Sequence, residues 1–152
     1  MTHIQRSALL PFPVQQVYEL INDVESYPHY MEGCVGSQLL SADEHSMEAR
    51  LDLAKAGLTF SFTTRNLLEA PHKITMSLVD GPFSRFNGEW LLQPLSDEAC
   101  KISLKLDFTL KGRMVALAAR KLFDPLANNL VDAMVKRAQC LYGSNNGAVG
   151  VL

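Results

Sequence analysis

Apolar and polar residues alternate most regularly between residues 100 and 112, in the segment CKISLKLDFTLKG. A period of two is typical of a strand with one buried and one solvated face. The buried face of this strand is predicted to carry Ile102, Leu104, Leu106, Phe108 and Leu110. Weaker alternation predicts six more strands, near residues 2–10, 35–42, 46–55, 58–68, 73–79 and 85–94. From the second strand onward the gaps are short and rich in turn residues, so we predict an antiparallel sheet.

Two segments have helical spacing instead. In PVQQVYELINDV, Pro13 suits the first helical position, and an apolar stripe follows at Val14, Val17, Tyr18 and Ile21. A longer helix is predicted over residues 113–142, because apolar residues recur there every three or four positions, at Val115, Ala119, Leu122, Leu126, Leu130, Met134, Ala138 and Leu141. Pro125 is expected to kink or restart this helix, with Asp124 as an N-cap.

The order of these elements favours one fold class. A strand, a helix, six strands and a long helix predict an α+β domain in which a curled antiparallel sheet of about seven strands wraps around the C-terminal helix. We expect one domain over residues 1–143 and a short, Gly-rich, flexible tail over residues 144–152. Large side chains between sheet and helix then either fill the interior or leave a cavity.

Composition limits the classes of function. The 152 residues are 47% hydrophobic and 20% charged, as in an ordinary globular protein. No stretch approaches the length of a membrane span, and Pro11 and Pro13 interrupt the N-terminal apolar run before it could form a signal sequence. We therefore expect a cytoplasmic protein. No metal site is predicted, because the cysteines lie far apart and His3, His45 and His72 lack partners at ligand spacing.

Basic residues are concentrated in the last third of the chain. Residues 101–152 hold eight lysines and arginines against three acidic residues, although the net charge of the chain is −2. A patch of these residues would attract phosphate, from ribosomal RNA or from anionic lipid head groups. The alternative is a solvated helix face, partly neutralised by Asp124 and Asp132. The eight residues are Lys101, Lys105, Lys111, Arg113, Arg120, Lys121, Lys136 and Arg137.

The segment YPHYMEGC, residues 27–34, is dense in reactive side chains. A catalytic interpretation needs a base beside a nucleophile and, for Cys34, a depressed pKa. The sequence offers no second histidine or carboxylate to complete such a relay. We therefore favour a structural interpretation, in which Tyr27 and Tyr30 cap one end of a cavity, His29 faces water and Cys34 begins a strand as a small apolar residue.

The segment FSFTTRN places Thr64 and Asn66 on the same strand face as Phe60 and Phe62. These two polar side chains are therefore expected to face the interior. They either satisfy each other or a buried water, or they bind the oxygen atoms of a ligand, since apolar pockets orient ligands with few polar groups. The pattern favours neither alternative.

Four separated blocks resemble a known superfamily: VYELINDVESYPHYMEGC, DLAKAGLTFSFTTRN, LVDGPFSRFNGEW and the terminal KRAQCLYG. They are similar to the START-like helix-grip superfamily, and within it to the bacterial ribosome-association toxins of the RatA type and the mitochondrial ubiquinone-binding respiratory chaperones. This group is also called polyketide cyclase/dehydrase and lipid transport. One departure is Glu32, which puts a charge where relatives have an apolar loop and weakens any expectation that this loop enters a membrane.

The resemblance implies non-enzymatic binding of ubiquinone or a related polyprenyl lipid, in support of respiration. The predicted cavity residues are Tyr27, Tyr30, Phe60, Phe62, Thr64, Asn66, Met76, Leu78, Phe83, Phe86, Trp90, Leu122, Leu126, Leu130 and Met134. One alternative is a toxin that inhibits association of ribosomal subunits through its basic surface. A second is an enzyme of the cyclase or dehydrase kind, for which no catalytic residue is nominated. We expect no cofactor beyond the lipid ligand, no DNA partner, and at most a transient, peripheral contact with the inner membrane.

Overall fold

The computed structural model describes residues 2–55 and 57–143 and, between 113 and 120, the backbone alone. The elements follow the predicted order. They are β1 (Thr2–Leu10), α1 (Val14–Asn22), a 3₁₀ helix (Val24–His29), β2 (Cys34–Ala42), β3 (Ser46–Lys55), β4 (Leu58–Glu69), β5 (Lys73–Asp80), β6 (Phe83–Ser96), β7 (Ala99–Leu110), α2 (Arg113–Ala138) and a terminal π turn (Gln139–Gly143). The tail predicted over residues 144–152 lies outside the described residues.

The seven strands form one antiparallel sheet in the order β1-β7-β6-β5-β4-β3-β2. Consecutive strands from β2 to β7 pair as hairpins. The first strand, β1, pairs with the last, β7, and Ile4 lies opposite Leu106 in this pair. The alternation that predicted β7 is visible in its burial, since every second residue from Cys100 to Phe108 is buried. The curled seven-stranded sheet with a long C-terminal helix is therefore confirmed.

Helix α2 packs against β1, β3, β4 and β7, so the sheet surrounds it. Its buried face is wider than the predicted stripe and consists of Leu122, Phe123, Leu126, Ala127, Val131, Met134 and Ala138. Of the other predicted stripe positions, Leu130 is half-buried and Leu141 is exposed in the π turn, so the prediction for Leu141 is wrong. The side chains of Val115 and Ala119 lie outside the described residues.

Of the two predicted effects of Pro125, a kink or a restart of α2, the restart is wrong. The helix is continuous from Arg113 to Ala138 with Pro125 inside it, and Asp124 is an interior residue and not an N-cap. Proline has no N–H, so the carbonyl of Lys121 loses its helical donor. Because Pro125 is exposed, this carbonyl lies on the solvent side of the helix, where water can bond it. The helix continues because its opposite face is buried against the sheet.

Six phenylalanine rings fill one part of the interior. Phe123 of α2 packs against rings from β4, β6 and β7 at centroid distances between 4.9 and 6.4 Å. We call this set the phenylalanine cluster; its members are Phe60, Phe62, Phe83, Phe86, Phe108 and Phe123. Most of these contacts are edge-to-face, the geometry that aromatic quadrupoles favour. The cluster anchors α2 to the sheet and leaves this part of the interior packed.

Helix α1 closes the other side of α2. Its apolar stripe buries Val17, Tyr18 and Ile21, as predicted. The π turn is bonded to α1, since the Tyr142 hydroxyl donates to the carbonyl of Gln16 at 3.3 Å. The Tyr142 ring also packs on Phe12 with centroids 5.8 Å apart.

Candidate functional site

The interior contains a small cavity of about 70 Å³ between the sheet and α2, which we call the inner cavity. Its walls come from β3 to β7, from the 3₁₀ helix with the residues that follow it, and from α2. The lining residues are Val24, Tyr27, Met31, Ala49, Leu51, Phe62, Thr64, Asn66, Met76, Phe86, Trp90, Leu106, Phe123, Leu126, Ala127 and Leu130. All but Tyr27, Thr64 and Asn66 are apolar, apart from the indole N–H of Trp90, so the space suits an apolar group.

Nine of the fifteen predicted cavity residues line the inner cavity: Tyr27, Phe62, Thr64, Asn66, Met76, Phe86, Trp90, Leu126 and Leu130. Tyr30 and Leu122 line a different space on the outside of the molecule. Phe60 and Phe83 belong to the phenylalanine cluster, Met134 is fully buried, and Leu78 is half-buried; these four line neither space. For all fifteen residues, contact with a ligand stays a prediction.

Seven lining residues were missed by the sequence analysis, although part of the signal was present. Ala49 and Leu51 follow the alternation of β3 and lie opposite Thr64 and Phe62 in the register of β3 and β4. Leu106 belongs to the predicted inward face of β7. Phe123 and Ala127 lie beside the predicted stripe of α2. Val24 begins the 3₁₀ helix and Met31 follows it, and this helix gives no periodic pattern.

The polar pair of the inner cavity joins neighbouring positions of β4. The Thr64 hydroxyl donates to the amide oxygen of Asn66 at 3.0 Å. Both residues are buried, at 7% and 6% exposure. The two polar side chains therefore satisfy each other, as one of the two sequence interpretations expected. The amide of Asn66 also carries two N–H donors, the type of group that orients a ligand carbonyl in an apolar pocket.

Tyr27 and Tyr30 lie side by side where the 3₁₀ helix ends, with ring centroids 6.0 Å apart in an edge-to-face arrangement. Tyr27 is buried and its hydroxyl donates to the carbonyl of Ile21. Burial raises the pKa of Tyr27 well above its ordinary value, and the neighbouring Tyr30 adds to the effect. Tyr27 therefore stays neutral and acts as a structural donor.

Cys34 is buried at the first position of β2, and His29 is exposed. Burial raises the pKa of the Cys34 thiol, which is opposite to what a cysteine nucleophile requires. This supports the structural interpretation of YPHYMEGC. Within residues 2–55 and 57–143, no three His, Cys, Asp or Glu side chains are grouped so that they could hold a metal ion.

A second space of about 800 Å³ opens on the outside of the molecule, between residues 29–33, Lys55 and one side of α2. We call it the outer groove. Along α2 and the π turn it is lined by Lys121, Leu122, Pro125, Leu126, Asn129, Leu130, Asp132, Ala133, Lys136, Arg137 and Cys140. Three apolar residues, Met31, Leu126 and Leu130, line both this groove and the inner cavity. They form a thin partition between the two spaces.

The basic residues of the last third of the chain do not form one patch. Lys101 and Lys105 alternate with buried residues of β7, so they lie on the face of the sheet that points away from α2. Lys121, Lys136 and Arg137 line the outer groove instead. The side chains of Arg113 and Arg120 lie outside the described residues. Five of the eight residues of the predicted patch are therefore divided between two surfaces.

Among the described residues, no helix combines the length and the hydropathy needed to cross a bilayer.

Proteins of similar sequence align with nearly the whole chain. The ribosome association toxin RatA of Escherichia coli K12 is 44% identical over 144 residues, which are 95% of this chain and 91% of the toxin. The mitochondrial coenzyme Q-binding protein COQ10 of Dictyostelium discoideum is 26% identical over 141 residues, which are 90% of this chain and 69% of that protein.

Solved structures confirm the fold class. The Zhui aromatase/cyclase from Streptomyces sp. R1128 superposes with a TM-score of 0.78 at 16% identity, covering 93% of this chain and 97% of that one. A START superfamily protein from Mycobacterium smegmatis has the same fold, with a TM-score of 0.72 at 20% identity and coverage of 91% and 98%. The family described as polyketide cyclase/dehydrase and lipid transport matches residues 10–135. This chain belongs to that family.

Proposed function

We propose that this protein binds a hydrophobic ligand with a polyprenyl chain, of which ubiquinone is the leading example, between its sheet and α2. The observation that carries the proposal is the inner cavity, an apolar space with one buried polar pair, Thr64 and Asn66. A quinone carbonyl next to the Asn66 amide would be oriented by hydrogen bonding, while the remaining walls contact apolar atoms.

The volume of the inner cavity sets a condition on binding. Ligand pockets typically measure about 300–1,000 Å³, whereas the inner cavity measures about 70 Å³. Ligand entry therefore requires the side chains of Met31, Leu126 and Leu130 to move, so that the cavity joins the outer groove. Met31 suits this role because methionine is unbranched and adapts to irregular spaces.

Burial of the chain would supply the affinity. Each buried CH₂ contributes roughly 0.8 kcal/mol, so two isoprene units contribute on the order of 6–8 kcal/mol. This is enough to offset much of the association cost, which is about 4–15 kcal/mol. The name of the coenzyme Q-binding relative and the lipid-transport description of the family support a lipid as the ligand.

We propose a binding function in preference to catalysis because of the groups that line the inner cavity. Tyr27 is the one titratable side chain among the described lining residues, and its hydroxyl is bonded to Ile21 with a raised pKa. Cyclase or dehydrase chemistry needs an acid or base at the reacting atoms. Incubation with model polyketide substrates should therefore yield no cyclised product; product formation would contradict this step.

The proposal is tested by quinone loading of the purified protein. Leu130 lines both spaces, so Leu130→Trp should block them and lower quinone binding about tenfold or more, measured by quenching of Trp90 fluorescence and by extraction of bound quinone. The matched control is Leu91→Trp, on an exposed position of β6. Because each variant adds a tryptophan, extraction decides the comparison. Equal loading of both variants, or an unloaded parent protein, would overturn the proposal.

A second candidate function is action on ribosomal subunits, which the 44% identity to a ribosome association toxin favours. Added protein should then lower the share of joined subunits in sucrose gradients. The divided basic residues provide two separate variants, Lys136→Gln with Arg137→Gln in the outer groove and Lys101→Gln with Lys105→Gln on the sheet. A gradient profile that the parent protein leaves unchanged would exclude this candidate.

A further inference from the structure

The charged residues of the outer groove are not paired with one another. The groove holds four cations, Lys55, Lys121, Lys136 and Arg137, and two carboxylates, Glu32 and Asp132, which is a net charge of +2. The whole chain carries −2. The ion pairs among the described residues all join other side chains, most of them on the sheet. The groove is thus a local cationic site on an acidic protein.

Two features of Arg137 bear on ligand binding: its guanidinium packs on an aromatic ring, and its buried Nε atom has no hydrogen-bond partner among the described residues. Its guanidinium carbon lies 4.9 Å from the centroid of the Tyr30 ring, a cation–π contact. The Tyr30 hydroxyl lies 3.4 Å from the sulfur of Met134, which fixes the ring in turn. The Nε atom of Arg137 is buried and makes no hydrogen bond to any of the described residues. Leaving a buried charged donor unsatisfied is costly, so an acceptor brought by a ligand would be favoured there.

We propose that the outer groove binds the phosphate head group of an anionic lipid, with Arg137, Lys136, Lys121 and Lys55 as its cationic ligands. Guanidinium and ammonium groups are the usual partners of phosphate oxygens. Glu32 and Asp132 reduce the attraction without cancelling it, since four cations face two carboxylates. The class of ligand is therefore a phospholipid whose head group carries a net negative charge, in contrast to a zwitterionic one such as phosphatidylcholine.

A lipid fits the groove better than a nucleic acid does. The cationic residues share the groove with Leu122, Leu126, Leu130 and Met31, so apolar wall lies directly beside the charges. An acyl or prenyl chain attached to the phosphate can use that wall, whereas a ribose-phosphate backbone cannot. Sites for single-stranded RNA use several exposed rings for stacking. The groove lining offers Tyr30, which is half-buried and covered by Arg137, and a single exposed imidazole, that of His29.

The inference rests on the proposed function in one respect only, which is that the hydrocarbon chain of the lipid enters from the outer groove as the quinone does. The phosphate site itself can be tested separately from quinone loading. Vesicle co-sedimentation provides the test. The parent protein should bind vesicles that contain phosphatidylglycerol and fail to bind vesicles of phosphatidylcholine. Lys136→Gln with Arg137→Gln should weaken the binding about tenfold or more, while Lys101→Gln with Lys105→Gln, which removes the same charge from the outer sheet face, should weaken it about threefold at most.

Inorganic phosphate distinguishes a head-group site from general attraction to a charged surface. Phosphate should displace the protein from the vesicles more effectively than chloride at equal ionic strength. Equal displacement by the two anions, equal losses in the two double variants, or stronger binding of a ribosomal RNA fragment than of the anionic vesicles would overturn the inference. Thermal melting of each variant checks that it folds.

Quinone extraction from the same samples separates the two proposals. The Lys136→Gln, Arg137→Gln double variant should retain quinone while losing the vesicle binding. If the parent binds vesicles in the predicted manner but carries no quinone, the proposed function fails and the phosphate site stands. If it carries quinone but ignores anionic vesicles, the reverse holds.

Discussion

Replacing Phe123 by alanine removes the ring that joins α2 to three strands of the sheet. The ring contacts Phe60, Phe62, Phe83, Phe86 and Phe108, and the contact with Phe108 is tightest at 4.9 Å between centroids. Truncation of a buried phenylalanine costs about 3–5 kcal/mol. Phe123 is 3% exposed and has several aromatic partners, so we expect the upper half of that range.

This loss is large compared with the whole stability of such a domain, which is about 5–15 kcal/mol. For a chain of this length, about 4 kcal/mol corresponds to a fall of roughly 8–16 °C in the melting temperature. Urea denaturation followed by Trp90 fluorescence and circular dichroism measures the free energy of unfolding directly. The slope of the transition should be unchanged, because the surface exposed on unfolding is nearly the same.

Phe123→Ala should also enlarge the inner cavity, because Phe123 is one of its lining residues. The added void, on the order of 100 Å³, is apolar and should take up benzene or xenon. The matched control is Phe12→Ala, since Phe12 is also buried but packs on Tyr142 away from the cluster. A cost below about 1 kcal/mol for Phe123→Ala, or equal benzene uptake by both variants, would refute this account of the interior.

Three further predictions concern single side chains. Thr64→Val removes the donor to the Asn66 amide oxygen and should cost about 1–3 kcal/mol in urea denaturation; a fully additive double-mutant cycle with Asn66→Leu would contradict the pairing. Gly88→Ala would place a Cβ 2.6 Å from the methyl group of Met76 and 2.8 Å from Cδ2 of Leu106, two side chains that line the inner cavity. Both side chains can rotate away, so we expect a loss of stability of about 1 kcal/mol and weaker quinone loading. Loading at the parent level would contradict the role of these two side chains in the cavity wall. The pKa of Tyr27 is raised in the folded protein, so in the unfolded chain Tyr27 ionises near pH 10 while in the folded protein it stays protonated. The stability that the protonated hydroxyl contributes is therefore complete below pH 10 and is lost as the pH rises above it. Tyr27→Phe should flatten this decline in the free energy of unfolding between about pH 9 and 11, and identical slopes against pH in parent and variant would exclude Tyr27 as the cause.

The strands could be predicted where burial alternates along them, although β2 has a single buried residue, Cys34, and no alternation. β7 shows this most clearly, with five inward positions from Cys100 to Phe108 that are all buried. The register of β3 against β4 then follows from a short hairpin, which is why Ala49 lies opposite Thr64. The alternation along β4 also predicted that Thr64 and Asn66 face the interior. Their mutual hydrogen bond was one of the two alternatives that this placement allowed.

The parts that could not be predicted depend on contacts between residues distant in the chain. The sequence does not indicate that Phe123, and not Leu122, lies at the centre of the phenylalanine cluster. The rotation of α2 about its axis determines which of the two side chains faces the other rings. Pro125 was misjudged because the rule that proline interrupts helices applies to the isolated helix, whereas here burial of the opposite face holds α2 together. The outer groove was not predicted, since Lys55 and Lys136 are distant in the sequence and line one groove only because the sheet curls around α2.

Met31, Leu126 and Leu130 separate two compartments that share α2 as a common wall. Side chains that serve as a boundary on both sides cannot shift for one occupant without changing the space left to the other. Thermodynamic reciprocity then requires that whatever a head group in the groove does to the affinity of the cavity for its apolar ligand, the apolar ligand does equally to the affinity of the groove. If both proposed ligands bind, the loading of the inner cavity would therefore depend on whether a head group occupies the outer groove, and the reverse.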